Sequence, residues 1–312
     1  MNPAPSIVFF TTASGAGYGL LFWLGVLRPL GHVPQAPWFA ITTLVVALVL
    51  ISAGLLSSTL HLGRPERAWR ALSQWRSSWL SREGVAALVT YVPAGLMLLA
   101  LLAGNAGLAT LFGLLAAVGA AVTVWCTAMI YASLRTVRQW NNPLVAPGYM
   151  VFAGFSGALL LAALGALAGR AMAPAMLACL LGIAALLLKR AYWQAIDAPK
   201  PPGTPTIESA TGLGSIGRTR PLDPPHTEQN WLLREMGYRI ARKHRDRLRP
   251  MVLAGFALPL PLELLAAILG GPFGAVLMVL AAITALAALL VERWLMFAEA
   301  THTVTLYYSG EA

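Results

Sequence analysis

His61 and Glu83 are the residues of this chain best suited to proton-coupled chemistry. His61 ends one long apolar run and Glu83 opens the next, so a helical hairpin brings them to one end of a helix pair. A neutral imidazole near pH 7 both hydrogen-bonds and exchanges protons. A carboxylate at a helix N-terminus passes protons to and from water, and the helix dipole there favours its charged form. Such a pair suits a quinone, whose carbonyl oxygens need hydrogen-bonding groups and whose two-electron reduction takes up protons. Arg64 and Arg82 stand beside the pair and could orient Glu83. The whole stretch Ser58–Glu83 holds five arginines and three tryptophans, which marks a polar site at a membrane surface. Ordinary interfacial polar residues would fit the same spacing.

Other groups are secondary candidates. His61 and His302 fall at corresponding ends of apolar runs and could ligate a b-type haem axially. Histidines inside the runs would suit haem better, so none is expected. His32, His226 and His244 lie in connections, the last two solvated. Cys126 and Cys179 are too few for an iron–sulfur cluster and read as small buried residues. Glu263, Glu292, Arg293 and Glu299 lie in or near apolar runs, where ionisable groups are costly and often functional. Glu292 and Arg293 point about 100° apart on a helix, so each should pair with another span. Tyr131, Arg293 and His302 are the fallback site residues. Trp125, Tyr131, Trp140, Trp193 and Trp294 read as an interfacial aromatic belt.

The elements that must position these groups are transmembrane helices. The chain is 58% hydrophobic and 11% charged. Its long apolar runs do not alternate, which excludes a membrane barrel. Eight spans are expected, near 6–28, 38–61, 83–104, 107–132, 145–168, 172–195, 251–270 and 273–300. The fold class is therefore all-α, a polytopic integral membrane protein forming one domain over 1–312. Met1–Ser6 lacks the basic region of a cleaved signal, so the first span is expected to be retained. Gly15, Gly17 and Gly19 should allow close helix approach, and Pro259 and Pro261 should kink the seventh span.

The connection 196–250 is long. Asp197–Pro225, rich in Pro, Gly, Ser and Thr, should lack regular structure, while Glu228–Arg249 reads as a basic amphipathic helix for anionic lipid or a protein partner. The net charge of +10 sits in loops and does not point to nucleic acid. Nineteen basic residues, Lys189 and Arg190 among them, are assigned to the side holding the termini and the His61 connection; Arg28 and Arg170 are on the other. That asymmetry places the His61 side and both termini in the cytoplasm.

The motif Leu60-His61-Leu62-Gly63-Arg64-Pro65, followed at this separation by Ser81-Arg82-Glu83, resembles the membrane-anchor subunits of dimethyl-sulfoxide-reductase-type molybdenum enzymes. Ile130–Leu134 and Glu292-Arg293 extend the resemblance over essentially the whole chain. It implies a bacterial inner-membrane anchor without haem or iron–sulfur cluster. Such an anchor binds ubiquinone or menaquinone beside an iron–sulfur subunit, which in turn serves a molybdopterin catalytic subunit. His61 and Glu83 match the family's implicated positions. Glu208–Gly214, Pro224–Thr227, Met129–Leu134 and Arg138–Pro143 look more like the anchors of cytoplasmic sulfite-oxidising enzymes. Electron transfer to quinone during sulfite oxidation is thus the expected role. The alternatives are menaquinol oxidation for a sulfoxide-type reductase, and a transporter. Against transport, the titratable groups gather at one face and no paired broken helices meet at mid-membrane.

Overall fold

The computed structural model describes residues 3–59, 63–199, 206–219, 222–223 and 240–305. The spans begin with α1 (Pro5–Leu27), α2 (Pro37–Thr59), α3 (Trp79–Leu102), α4 (Ala106–Ala132), α5 (Val145–Leu167) and α6 (Met172–Asp197). A short α7 (Ile207–Thr211) follows, then α8 (Ile240–Ala257), α9 (Pro259–Leu269) and α10 (Gly271–Ala298). Among the described residues, eight segments are long and apolar enough to cross a bilayer, α8 and α9 forming one of them from His244 to Leu269. The chain is an all-α, multi-pass membrane protein.

Helices are the solution lipid imposes, because each backbone donor must find its acceptor within the segment. The side chains follow an inverted pattern. Leu88, Val89, Val92 and Leu99 of α3 face outward, while Ala87, Thr90, Ala94 and Met97 face inward. With lipid as apolar as leucine, close packing of small residues drives association.

Helices α1 and α5 form the centre. They pack on each other and join α2–α4 on one side to α6 and α8–α10 on the other. Gly19 and Gly157 mark the crossing: a Cβ on Gly19 would overlap the Ala153 carbonyl oxygen. Gly17 meets α2 at Ala47 and Ile51 in the same way. Gly15 does not, since nothing approaches its Cβ position within 4 Å; it borders an internal cavity instead. Trp23 Nε1 donates to the Gly154 carbonyl at 2.9 Å and fixes the α1–α5 register. Thr11, Thr12 and Ser14 donate back into their own helix, to Ile7, Val8 and Phe10, and so enter the core with their hydroxyls paired.

Span seven breaks as expected at Pro259, although Leu258 N–H still reaches Ala254 at 2.8 Å. Two connections carry structure of their own. After α2, a 3₁₀ helix, Pro65–Gln74, leads to α3. In the long loop, α7 and a 3₁₀ turn (Leu213–Ser215) occupy part of a stretch expected to be irregular. The cause is local: the Thr206 side chain accepts from Ser209 N–H while the Ser209 hydroxyl accepts from Thr206 N–H, a capping box. Glu208 accepts from Thr219 N–H at 3.1 Å, and backbone donors hold this exposed carboxyl below its usual range. Glu228–Arg239 of the basic segment and Pro224–Thr227 lie outside the described residues. From Ile240 onward the segment is helical, and Arg245 and Arg249 both approach Asp197.

Candidate functional site

The start of α3 is built by its preceding segment. Ser78 caps the helix, and Trp79 and Leu80 extend it four residues beyond the expected start at Glu83. Ser81 Oγ donates to the Ala71 carbonyl of the 3₁₀ helix. Arg82 donates through Nε to the Trp75 carbonyl at 3.1 Å and through Nη2 to the Arg76 carbonyl at 2.7 Å, with its guanidinium over the Trp79 ring. Arg82 is thus a clamp on the incoming loop, and its observed bonds go to backbone rather than to Glu83.

Glu83 follows one turn inside the helix. Its carboxyl is not at the N-terminus but 5% exposed and turned into the bundle, where Thr127 of α4 donates to Oε1 at 2.6 Å. The expectation that a helix dipole holds it charged at an open end is corrected: four residues of α3 separate it from Ser78. Behind Thr127, the hydroxyls of Thr123 and Thr90 meet at 3.3 Å. Tyr18 of α1 faces Thr123 without reaching hydrogen-bond geometry.

His61 lies outside the described residues. The described chain resumes at Gly63, and Arg64, exposed, immediately precedes the 3₁₀ helix that packs on the start of α3.

The fallback residues occupy two other places. Tyr131 stacks on Tyr149, 5.8 Å between centroids, and meets Trp140 and Phe297 edge-on. Arg293 lies over the Tyr149 ring at 3.7 Å. His302 pairs with Val137 through an isolated bridge, and its Nδ1 accepts from Val304 N–H at 3.1 Å. It ties the segment after α10 to the α4–α5 connection.

Sequence reasoning misplaced two sets of residues. Lys189, counted with the loop cations, is buried inside α6 and bound to Glu292 at 2.5 Å. Tyr131, Trp140 and Trp193 are core residues rather than belt, because each packs against another helix or a charged partner. Trp125, 45% exposed, does face outward. Glu263 is also inside: Cys179 Sγ–H donates to it at 3.1 Å between α6 and α9. Thr127 carried no signal of its own, one hydroxyl among many in apolar helices.

The family model for the DMSO reductase anchor subunit (DmsC) matches residues 1–195, which spans α1 to the last turn of α6. The chain belongs to this anchor-subunit family. Over its full length the anchor is 32% identical to the C subunit of the sulfite dehydrogenase of Allochromatium vinosum, covering 100% of both proteins. It is 32% identical over 114 residues to the C subunit of the anaerobic dimethyl sulfoxide reductase of Escherichia coli. The YnfH protein of the same organism, also named as an anaerobic dimethyl sulfoxide reductase component, is 29% identical over 118 residues. These two matches cover 36% and 37% of this anchor and 40% and 41% of the relatives. The protein is a membrane anchor subunit of a DMSO-reductase-family complex, similar throughout to a sulfite dehydrogenase component.

Proposed function

We propose that this anchor exchanges electrons between an iron–sulfur partner subunit and the quinone pool, at a site formed by His61, Arg64 and Glu83. The observation that carries the reading is the inward-turned carboxyl of Glu83, held by Thr127 under the loop that contains Arg64. The donor set fits a quinone: a carboxyl for proton exchange, a guanidinium at the adjoining helix end, and the imidazole of the sequence motif. Quinone, ubiquinone or menaquinone, supplies the two-electron, two-proton couple when bound. Glu83 holds and passes a proton, Thr127 fixes its Oε1, and Arg82 keeps the covering loop in place.

The full-length likeness to a sulfite dehydrogenase component favours electrons flowing from sulfite, through molybdopterin and iron–sulfur partners, to quinone. The cytoplasmic assignment of the Glu83 end, from its basic loops, agrees with it. A second reading, supported by the two dimethyl sulfoxide reductase relatives, runs the same site in reverse, oxidising menaquinol.

The test is paired. His61→Ala and Glu83→Gln should each lower quinone-linked turnover by about 10²-fold or more, provided quinone chemistry limits the rate. Both should leave the complex's reduction of a soluble artificial acceptor unchanged, since that route bypasses the anchor. Arg64→Ala should mainly weaken quinone binding. Full quinone-linked activity in both His61→Ala and Glu83→Gln moves the site elsewhere.

A further inference from the structure

Lys189, Glu292 and Arg293 form a charged group that the site above does not use. All three are at most 4% exposed inside membrane spans, where an ionisable group is expensive and usually has a task. Lys189 Nζ meets Glu292 Oε1 at 2.5 Å, and Arg293 Nη1 lies 3.4 Å from Glu292 Oε2. Oε2 nevertheless lacks a properly oriented hydrogen bond. Glu292 borders a cavity of about 20 Å³ that Lys189, Tyr149 and Arg293 also line. A second cavity, about 10 Å³, shares Tyr149, Phe152 and Arg293 with the first and is lined also by Thr127 and by Tyr18, whose hydroxyl has no hydrogen-bond partner. A volume of this order has room for about one water molecule.

The two cavities adjoin through Tyr149, Phe152 and Arg293, one reaching Glu292 and the other Thr127, so that a carboxyl stands at each end of the pair. One end is Glu83, bonded to Thr127. The other is Glu292, whose partner Lys189 lies 4.9 Å from the Trp193 ring. Trp193 Nε1 donates to Glu299, and Glu299 and the half-exposed Asp197 share Arg249 at the helix ends.

We propose that the Lys189–Glu292 pair, the two cavities and Thr127 form a proton lane to the carboxyl of Glu83, loaded at the pair, which lies beside the Asp197–Glu299–Arg249 cluster at the helix ends. This rests on the assignment of Glu83 to quinone chemistry. Reduction of one quinone to quinol takes two electrons from the iron–sulfur partner and two protons from the medium; oxidation returns both. The lane moves protons only, and each of its groups ends in the state in which it began. The groups facing it are Tyr18 from α1, Thr127 from α4, Tyr149 from α5, Lys189 and Tyr192 from α6, and Glu292 and Arg293 from α10.

The experiment uses the assembled complex in liposomes and compares Thr127→Val, the double variant Lys189→Gln/Glu292→Gln, and Glu83→Gln with the parent. Three quantities are read: quinone-linked turnover, artificial-acceptor turnover, and proton uptake from the medium with a pH-sensitive dye after a pulse of reductant. Thr127→Val and the double variant should slow both quinone turnover and proton uptake about tenfold or more, leave the artificial acceptor route intact, and recover in part with a small permeant weak acid. Normal turnover and uptake in either variant, with Glu83→Gln impaired, overturns the lane and leaves the Glu83 assignment standing. An unimpaired Glu83→Gln overturns both. Because Thr127 also positions the Glu83 carboxyl, the deciding readout where the double variant does not assemble is rescue of Thr127→Val: recovery with the permeant weak acid supports the lane, and slowed turnover without recovery overturns it.

Discussion

At the scale of single residues, the chain separates chemistry from architecture by how each charge is partnered. Arg82 directs its donors to carbonyls and Arg249 to Asp197 and Glu299, whereas Glu83 is answered by a hydroxyl. Lys189 and Glu292 depend on one another. Leaving a buried charge without its partner costs about 3–5 kcal/mol. Glu292 answers both Lys189 and Arg293, so Glu292→Gln should sharply lower the thermal midpoint of the detergent-solubilised anchor by stranding two cations, and Lys189→Gln/Glu292→Gln should recover part of the loss by removing one of them. Equal damage in single and double variants would show that the pair is not coupled. Glu83 was legible in the sequence because a carboxyl next to a long apolar run is rare. Its depth was not, since Trp79 and Leu80 read as loop until Ser78 is seen to cap them. Lys189 was misread because Lys189-Arg190 resembles the basic flank of a span, and only α10 reveals the partner.

Helices as units were the easiest part to anticipate, because bilayer thickness sets their length independently of sequence detail. What the pattern does not encode is which small residues touch. Gly15, Gly17 and Gly19 look equivalent along α1, yet Gly19 abuts Ala153 and Gly15 opens on a cavity. Gly19→Ala should push α1 and α5 apart and destabilise the bundle by about 1–3 kcal/mol or more, while Gly15→Ala should be nearly neutral. Thermal unfolding of the two variants in one detergent checks this, and equal midpoints would remove the close crossing from the account. The 3₁₀ helix Pro65–Gln74 escaped notice for a related reason. Its exposed Trp69 and Trp75 and its arginines look like any surface loop, and its register is fixed by Ser81 and Arg82, which follow it.

For the molecule as a whole, Glu83, Lys189, Glu292 and Glu299 lie toward the same end of the bundle, the end that carries the basic connections. With Lys189 inside the bundle, eighteen basic residues stand on that side against two on the other, the same asymmetry. A reporter active only in the periplasm, fused after Ala312, should be silent. A strong signal would reverse the topology and favour the menaquinol-oxidising reading.

The union of α6 with α10 has a consequence for how the chain is made. The family model ends within α6, but Lys189 in that helix is neutralised by Glu292, more than a hundred residues later. During synthesis α6 must enter the membrane carrying an unanswered cation toward its loop-side end, at a cost below the roughly 2.5–3.5 kcal/mol of a lysine at mid-span. It then waits while the long loop and two further helical segments are translated. Chains that stop short of α10 lack the carboxylate that answers that cation. Completion of the last span is what supplies it.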